Sequence, residues 1–328
     1  MKMAMQKLKF AFYWAASCGG CEIAVLDINE KILDVVQVAD IVFWPVAMDI
    51  KYKDVENMPD RYIDVCFFNG GIRNSEQEYM AKLLRQKSKI LVAYGACAHL
   101  GGVPGLANLH NKREIFEKVY VQTFSTDNPN KVFPQPKTKV KEGVLEIPEF
   151  YDTVRTLDQT VDVDYYVPGC PPAVERTVFA LEAIAKGELP PKGSVLASLK
   201  SVCDECPKKK ENKKISRIYR VYEKIPDPEK CLLEQGIICM GPATRGGCGA
   251  RCLKVDMPCT GCGGPCPNAP EQGAAMISAL ASILGLEEEK EKYTEEEVEK
   301  LIDQIKDPVG TFYMYALPAS ILRRKVTR

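Results

Sequence analysis

Hydrophobic positions over the first 187 residues alternate between two periods. Residues 8–14, 41–44, 62–68, 89–94 and 165–167 are apolar runs of strand length. Between them, apolar residues recur at helical spacing: Ile23, Ala24, Val25, Leu26 and Ile28 after the first run, and Tyr79, Met80, Leu83 and Leu84 within 76–86. Val174, Val178, Leu181 and Ala185 follow Pro172 and stop at Gly187, a helix-start and helix-stop pair. Strand and helix in alternation predict an α/β domain with a mostly parallel sheet. Residues 104–160 read as an insertion of helix and proline-rich hairpin. The stretch 187–201, with Pro190-Pro191, reads as a hinge, which divides the chain into domains 1–195 and 196–328.

Beyond the hinge, periodicity lapses until about residue 273, because glycine, proline and cysteine dominate. Such a segment is expected to draw its core from metal and not from side chains. Residues 274–286 then read as an apolar helix. Thr294 and Glu297 form a capping-box pair opening a second helix with Val298, Leu301, Ile302 and Ile305. The charge runs 208–214 and 287–300 read as solvated surface.

The 44 basic residues balance the 44 acidic ones, which argues against a bulk nucleic-acid binder or an anionic-membrane binder. No apolar run has the length of a membrane span. The longest near the start, 10–16, is followed at once by Cys18-Gly-Gly-Cys21, and no twin-arginine pair precedes it. The start of the chain therefore reads as mature structure, and a cytoplasmic location is expected.

Cysteine changes the picture most. There are 14, and nine of them lie between Cys203 and Cys266. Pairs spaced by two or three residues in glycine-rich loops, in a long chain without an export signal, read as metal or cluster ligation. Cys18 and Cys21 follow the first strand, Cys97 comes three residues after the fourth and Cys170 three after the fifth. The carboxyl ends of parallel strands share one edge, so these four are expected at one site. Four thiolates suit a 4Fe-4S cluster or zinc. Cys18-x-x-Cys21 alone equally fits a thioredoxin-type redox pair. The later cysteines supply eight ligands for two further sets of four; zinc ribbons fit their spacing, while the Cys-Pro steps at Cys170, Cys206 and Cys266 are like the ends of cluster-binding loops.

The order Cys18-x-x-Cys21, GACAHLGGVPG, VPGCPP, Cys203-x-x-Cys206 with Cys231 and Cys239, then GGCGARC and PCTGCGGP, resembles the small subunit of nickel-iron hydrogenases over roughly residues 5–285. Within that family it is most similar to the cytoplasmic, viologen-reducing, F420-non-reducing type of methanogens and related anaerobes. The resemblance implies a flavodoxin-like domain followed by a small irregular iron-sulfur domain with C-terminal helices. It implies a proximal 4Fe-4S cluster on Cys18, Cys21, Cys97 and Cys170, a medial one on Cys248, Cys252, Cys259 and Cys262, and a distal one on Cys203, Cys206, Cys231 and Cys239. Where exported members use histidine as first distal ligand this chain has Cys203, and Cys252 supplies a fourth medial thiol that they lack. The implied partners are a large subunit carrying the NiFe centre, a small delta-type iron-sulfur subunit and heterodisulfide reductase subunits. No catalytic residue is expected on this chain, because it lacks cysteine pairs like those that hold nickel in the large subunit.

The small subunit of the deazaflavin-coenzyme-reducing hydrogenase is the nearest alternative. A subunit of the complex I type shares the first domain, but lacks the second cluster domain and usually carries adjacent cysteines in place of Cys18-x-x-Cys21. A zinc-dependent interaction module is a reading from another class. A flavodoxin-like FMN carrier fails because four thiolates occupy the crevice where the phosphate would sit. Cys66 reads as a packed thiol. Cys266 competes for the medial site, with Cys252 preferred by resemblance. His99 reads as local loop structure, and Glu22 as a helix-start carboxylate favoured by the helix dipole.

Overall fold

The structure is a computed structural model that describes residues 7–269, 271–284 and 294–325. The chain runs β1 (Leu8–Trp14), α1 (Gly20–Leu26), α2 (Ile32–Val38), β2 (Ala39–Phe43), α3 (Tyr52–Glu56), β3 (Ile63–Asn69), β4 (Ile72–Asn74), α4 (Ser75–Lys87), β5 (Ser88–Tyr94) and α5 (Ala96–Leu100). It continues through α6 (Lys112–Glu117), β6 (Lys137–Val140), β7 (Gly143–Glu146), β8 (Phe150–Arg155), β9 (Tyr165–Val167), α7 (Val174–Lys186), α8 (Gln272–Ile283), α9 (Glu295–Ile302) and α10 (Pro308–Phe312). Each of the five runs expected to be strands is a strand of one sheet, ordered β2-β1-β3-β5-β9 and parallel throughout. This is the flavodoxin-like strand order, and its switch point lies between β1 and β3.

Period-two alternation gives the sheet two apolar faces, as a sheet covered on both sides requires. Phe12 pairs with Phe67, Phe67 with Val92 and Val92 with Tyr165, and this row packs against Val25 of α1 and Ala180, Leu181 and Ile184 of α7. On the other face Tyr13, Phe68, Leu91 and Ala93 pack against Met80, Leu83 and Leu84 of α4. Cys66 is in that layer, fully buried, as a packed thiol should be. The start of α4 is fixed by Asn74, whose side chain accepts from Gln77 N at 2.8 Å while Gln77 Oε1 accepts from Asn74 N. Helix α7 ends at Gly187 in the left-handed conformation. In the insertion, β6 and β7 form the expected hairpin, and β8 pairs antiparallel with β4.

The expectation that metal alone supplies the core after the hinge is corrected by the structure. Val202, Ile215, Ile218, Leu232, Leu233, Ile237, Met240 and Leu253 are all buried and converge on Met276, Leu280, Phe312 and Leu317. They come from short irregular segments, so no helical or strand period betrays them in sequence. Lys208, read as solvated, is likewise buried, with its ammonium on Asp256 and on Pro228 O at 2.7 Å. The apolar helix expected over 274–286 is α8, with 285 and 286 outside the described residues. The capped helix is α9, opened by Thr294 as expected; residues 287–293 of the charge run are outside the described residues. No helix among the described residues is long and apolar enough to cross a membrane.

Asp164, at the entry to the edge strand β9, is buried and accepts from Arg85 Nη1 and Lys192 Nζ, each at 2.6 Å, and from Leu91 N at 2.8 Å. Burial alone raises its carboxyl pKa, but the bonds from Arg85 and Lys192 outweigh it and hold the group below the usual 3.8. Its stabilisation is therefore present above that value and lost as pH falls through the depressed one. Asp164→Asn is expected to cost about 3 kcal/mol at pH 7, and the gap from wild type should narrow on acidification. Denaturant midpoints at pH 7 and pH 3 check this; an equal gap at both would contradict it.

Candidate metal centres

Cys18, Cys21, Cys97 and Cys170 are neighbours at the carboxyl edge of the sheet, beside the switch point. Gly19, in the left-handed conformation with φ 84°, turns the loop after β1 so that Cys21 enters the first turn of α1 and not the loop. Cys97 is in the short helix α5, and Cys170 follows β9. The loops fit closely around these sulfurs. A Cβ on Gly95 would lie 2.3 Å from the Cys21 sulfur, and one on Gly102 would lie 2.4 Å from that of Cys97. Gly20 N donates to the Cys18 sulfur at 3.4 Å.

Burial, then the neighbouring sulfurs of Cys97, Cys170 and Cys18, push the Cys21 thiol far above its ordinary range. Burial, then Cys170 and Cys18, raise Cys97 to about 12, and burial, then Cys262 of a later group and Cys18, raise Cys170 to about 11. Four thiolates cannot share this space unless a cation neutralises them, so the donor set fits a metal or metal-sulfur group and leaves the thiols inert without one.

A second group, Cys203, Cys206, Cys231 and Cys239, lines a cavity of about 590 Å³. Burial raises the Cys203 thiol to about 12, with Lys210 opposing and Cys239, Cys231 and Cys206 adding to the rise. Gly241 leaves room here, since its Cβ would lie 3.2 Å from the Cys203 sulfur. The third group, Cys248, Cys252, Cys259 and Cys262, lines one small cavity. Burial raises the Cys262 thiol, with Cys248 and Cys252 contributing, and raises that of Cys259 still further. Among the described residues no three cysteine, histidine, aspartate or glutamate side chains close on a single point as they would around one ion; the second and third groups instead line cavities.

Single amides join the groups. The backbone N-H of Cys170 faces the sulfur of Cys262. Cys259 N donates to the sulfur of Cys239 at 3.3 Å. The third group therefore adjoins both of the others. Amide donors aimed at sulfur are the usual means by which protein tunes a metal-sulfur group.

Cys266 stands apart. It is buried, its S-H donates to Pro242 O at 3.8 Å, and the charged groups it feels are Arg245 and Asp204 rather than other sulfurs. One reading of a single residue is extended and one is revised. Glu22 is the first-turn carboxylate of α1, and it is also buried, accepting from Trp44 Nε1 and Asn69 Nδ2, with burial raising its pKa against those two bonds. His99 is not loop structure; it lies in α5 with its ring on Tyr166, 4.6 Å between centroids. Sequence reasoning missed Glu205, which accepts from the amides of Gly247 and Gly249 and so fixes the loop that carries Cys248. Its place between Cys203 and Cys206 is the one hint the sequence holds. It also missed Arg176, buried in α7 beside the third group; no periodicity separates it from a solvated helix arginine.

Residues 18–184 match the family described as NADH ubiquinone oxidoreductase, 20 Kd subunit. Over its whole length the chain is similar to the iron-sulfur subunit of the F420-non-reducing hydrogenase of Archaeoglobus profundus, 46 % identical over 97 % of this chain and 99 % of the relative. It is 38 % identical to the corresponding subunit of the F420-non-reducing hydrogenase of Methanothermobacter marburgensis, over 98 % of each chain. A solved NAD+-reducing nickel-iron hydrogenase in its H2-reduced state aligns with 27 % identity and a TM-score of 0.47, covering 56 % of this chain and 93 % of that one. The full-length relatives extend through all three cysteine groups, whereas the family match ends before the second and third.

Gly95 combines φ 89° with its contact on the Cys21 sulfur, whereas Gly187 has a positive φ and open space. Gly187→Ala is expected to cost about 1 kcal/mol. Gly95→Ala should cost at least about twice that, since a buried overlap adds about 1–3 kcal/mol. Thermal or denaturant midpoints of the two variants decide it, and equal losses would show that the Cys21 loop has slack.

Proposed function

The chain belongs to the family of F420-non-reducing hydrogenase iron-sulfur subunits, which are oxidoreductase subunits, and from that membership together with the ordered cysteine groups we propose that it is the electron-transfer small subunit of a cytoplasmic nickel-iron hydrogenase. The observation that carries this is that the third tetrad of cysteine adjoins both of the others, with Cys262 beside Cys170 and Cys259 N donating to the sulfur of Cys239. A structural zinc module has no need for such adjacency. A one-electron conductor does.

Cys18, Cys21, Cys97 and Cys170 would hold a proximal four-iron cluster in residues 1–195. Cys248, Cys252, Cys259 and Cys262 would hold a medial one, and Cys203, Cys206, Cys231 and Cys239 a distal one, both in residues 196–328. Four-iron clusters, when bound, take up and release one electron at a time. The chain's own residues supply the setting. Burial of Cys21, Cys97, Cys239 and Cys259 keeps water from the sulfurs. Gly20 N and Cys259 N donate to sulfur and so stabilise added negative charge. The first group meets the partner large subunit that carries the nickel-iron site. The distal group faces a delta-type iron-sulfur subunit and, beyond it, heterodisulfide reductase. The names of the full-length relatives favour this reading over the deazaflavin-coenzyme-reducing type.

Metal and acid-labile sulfide per chain, measured on the anaerobically isolated native complex, test the proposal. About twelve irons with as much sulfide, and nickel on a co-purifying large subunit, are expected for three four-iron clusters. Two or three zincs without sulfide would overturn it. Cys21→Ala should lower the iron content by about four per chain and abolish reduction of the remaining centres by hydrogen. Hydrogen-driven reduction that survived this change would remove Cys21 from the proximal set.

A further inference from the structure

Arg176 in α7 is 3 % exposed, and no carboxylate among the described residues pairs with it. Its Nη1 donates to Pro168 O at 3.2 Å, and its Nη2 donates to Arg245 O at 2.9 Å and Gly246 O at 2.6 Å. Its Nε is buried without a partner. Room for the guanidinium is left by two glycines of the loops that carry the third cysteine group. A Cβ on Gly263 would lie 3.0 Å from Nη2, and one on Gly247 would lie 3.3 Å from Nε. The charge bears on the sulfur of Cys262.

A buried cation is costly unless something anionic offsets it, and carbonyl oxygens solvate it without neutralising it. A second buried guanidinium nearby sharpens the demand. Arg245 donates to Pro265 O and Ser198 O, each at 3.2 Å, and it too forms no ion pair among the described residues. Arg245 has the Cys266 thiol beside it, and both arginines border the Cys248, Cys252, Cys259 and Cys262 group, Arg176 at Cys262 and Arg245 in the lining of its cavity; that group is negative once its thiols carry metal. The other groups differ: the first has the buried carboxylate of Glu22 beside Cys21, and the second opens to the lysines of its cavity.

We propose that Arg176 is a positioning residue for the medial group, tying α7 to its loops and supplying a permanent buried positive charge that favours the electron-rich state of the metal held there. The inference rests on the iron-sulfur reading of that group. Added negative charge is stabilised by a fixed cation, so removing the cation lowers the reduction potential.

The test uses the whole native complex with Arg176→Met, Arg176→Gln and Arg176→Lys, reading iron and sulfide per chain and an EPR-monitored redox titration. In the Met variant one of the three reduction steps is expected to become about tenfold less favourable, a shift of about 59 mV to lower potential for one electron. The other two steps should move less. The Gln variant, whose amide still donates to the Arg245 and Gly246 carbonyls, should show the same shift without the loss of the tie, and the Lys variant should restore most of it. Loss of one cluster's iron from the Met and Gln variants with retention in the Lys variant would equally support the charge requirement. Loaded Met and Gln variants with all three steps at wild-type potential would overturn the inference and leave the iron-sulfur reading standing. Loss of that iron from all three variants would reduce Arg176 to a tie and overturn its electrostatic role. A wild-type complex without acid-labile sulfide would overturn the iron-sulfur reading, and this inference with it.

Discussion

The sulfur of Cys21 is buried near those of Cys18, Cys97 and Cys170, and the loops that bring them together fit closely around Cys21 and Cys97. Gly95 and Gly102 press backbone against sulfur, while the strands behind the loops are locked by two apolar faces. Crowding of this kind is unfavourable for ionised thiols and tolerable only as neutral thiols or as ligands of a cation. The sheet therefore does more than support a site. Its parallel order delivers three distant segments to one edge at fixed positions, and the chemistry open to that edge is narrowed to metal binding before any partner is considered.

Most of that frame was legible from the order of residues, for a physical reason. The five strands and the helices α4 and α7 are amphipathic or fully apolar, bounded by Asn74, Pro172 and Gly187, so local preference and tertiary role agree. The cysteines after β1, β5 and β9 were legible because parallel topology converts sequence position directly into place. The segment after residue 201 was not, since its core residues arrive singly: Val202, Ile218, Leu232 and Leu253 have no shared period and come together only by way of the turns between them. Glu22 and Lys208 show the same limit for charge. Nothing in their neighbours forecasts that Trp44 and Asn69 would enclose one and Asp256 the other.

The C-terminal segment makes the arrangement a single body. After α10 the chain turns back onto the first half. Gly102 N donates to Tyr315 O at 3.0 Å, Gln159 Nε2 to Pro318 O at 2.8 Å and Asn108 Nδ2 to Arg323 O at 3.1 Å. Pro318 fits so closely that a Cβ on Gly101 or Gly105 would fall within 2.4 Å of its ring. The glycines of the loop after Cys97 thus serve two neighbours at once: Gly102 makes room for the Cys97 sulfur, while Gly101 and Gly105 make room for the returning chain.

This double use bears on how the three groups keep their spacing. Arg176 fastens the first half to the loops of the third group from one side, and the Tyr315 and Pro318 contacts fasten it from the other. A conductor whose centres moved relative to one another would lose its rate, because transfer between buried carriers depends on separation. Attachment on two sides opposes relative motion about either. The residues that hold the groups in register are therefore as much a part of the proposed function as the cysteines, although none of them has a sulfur to announce it.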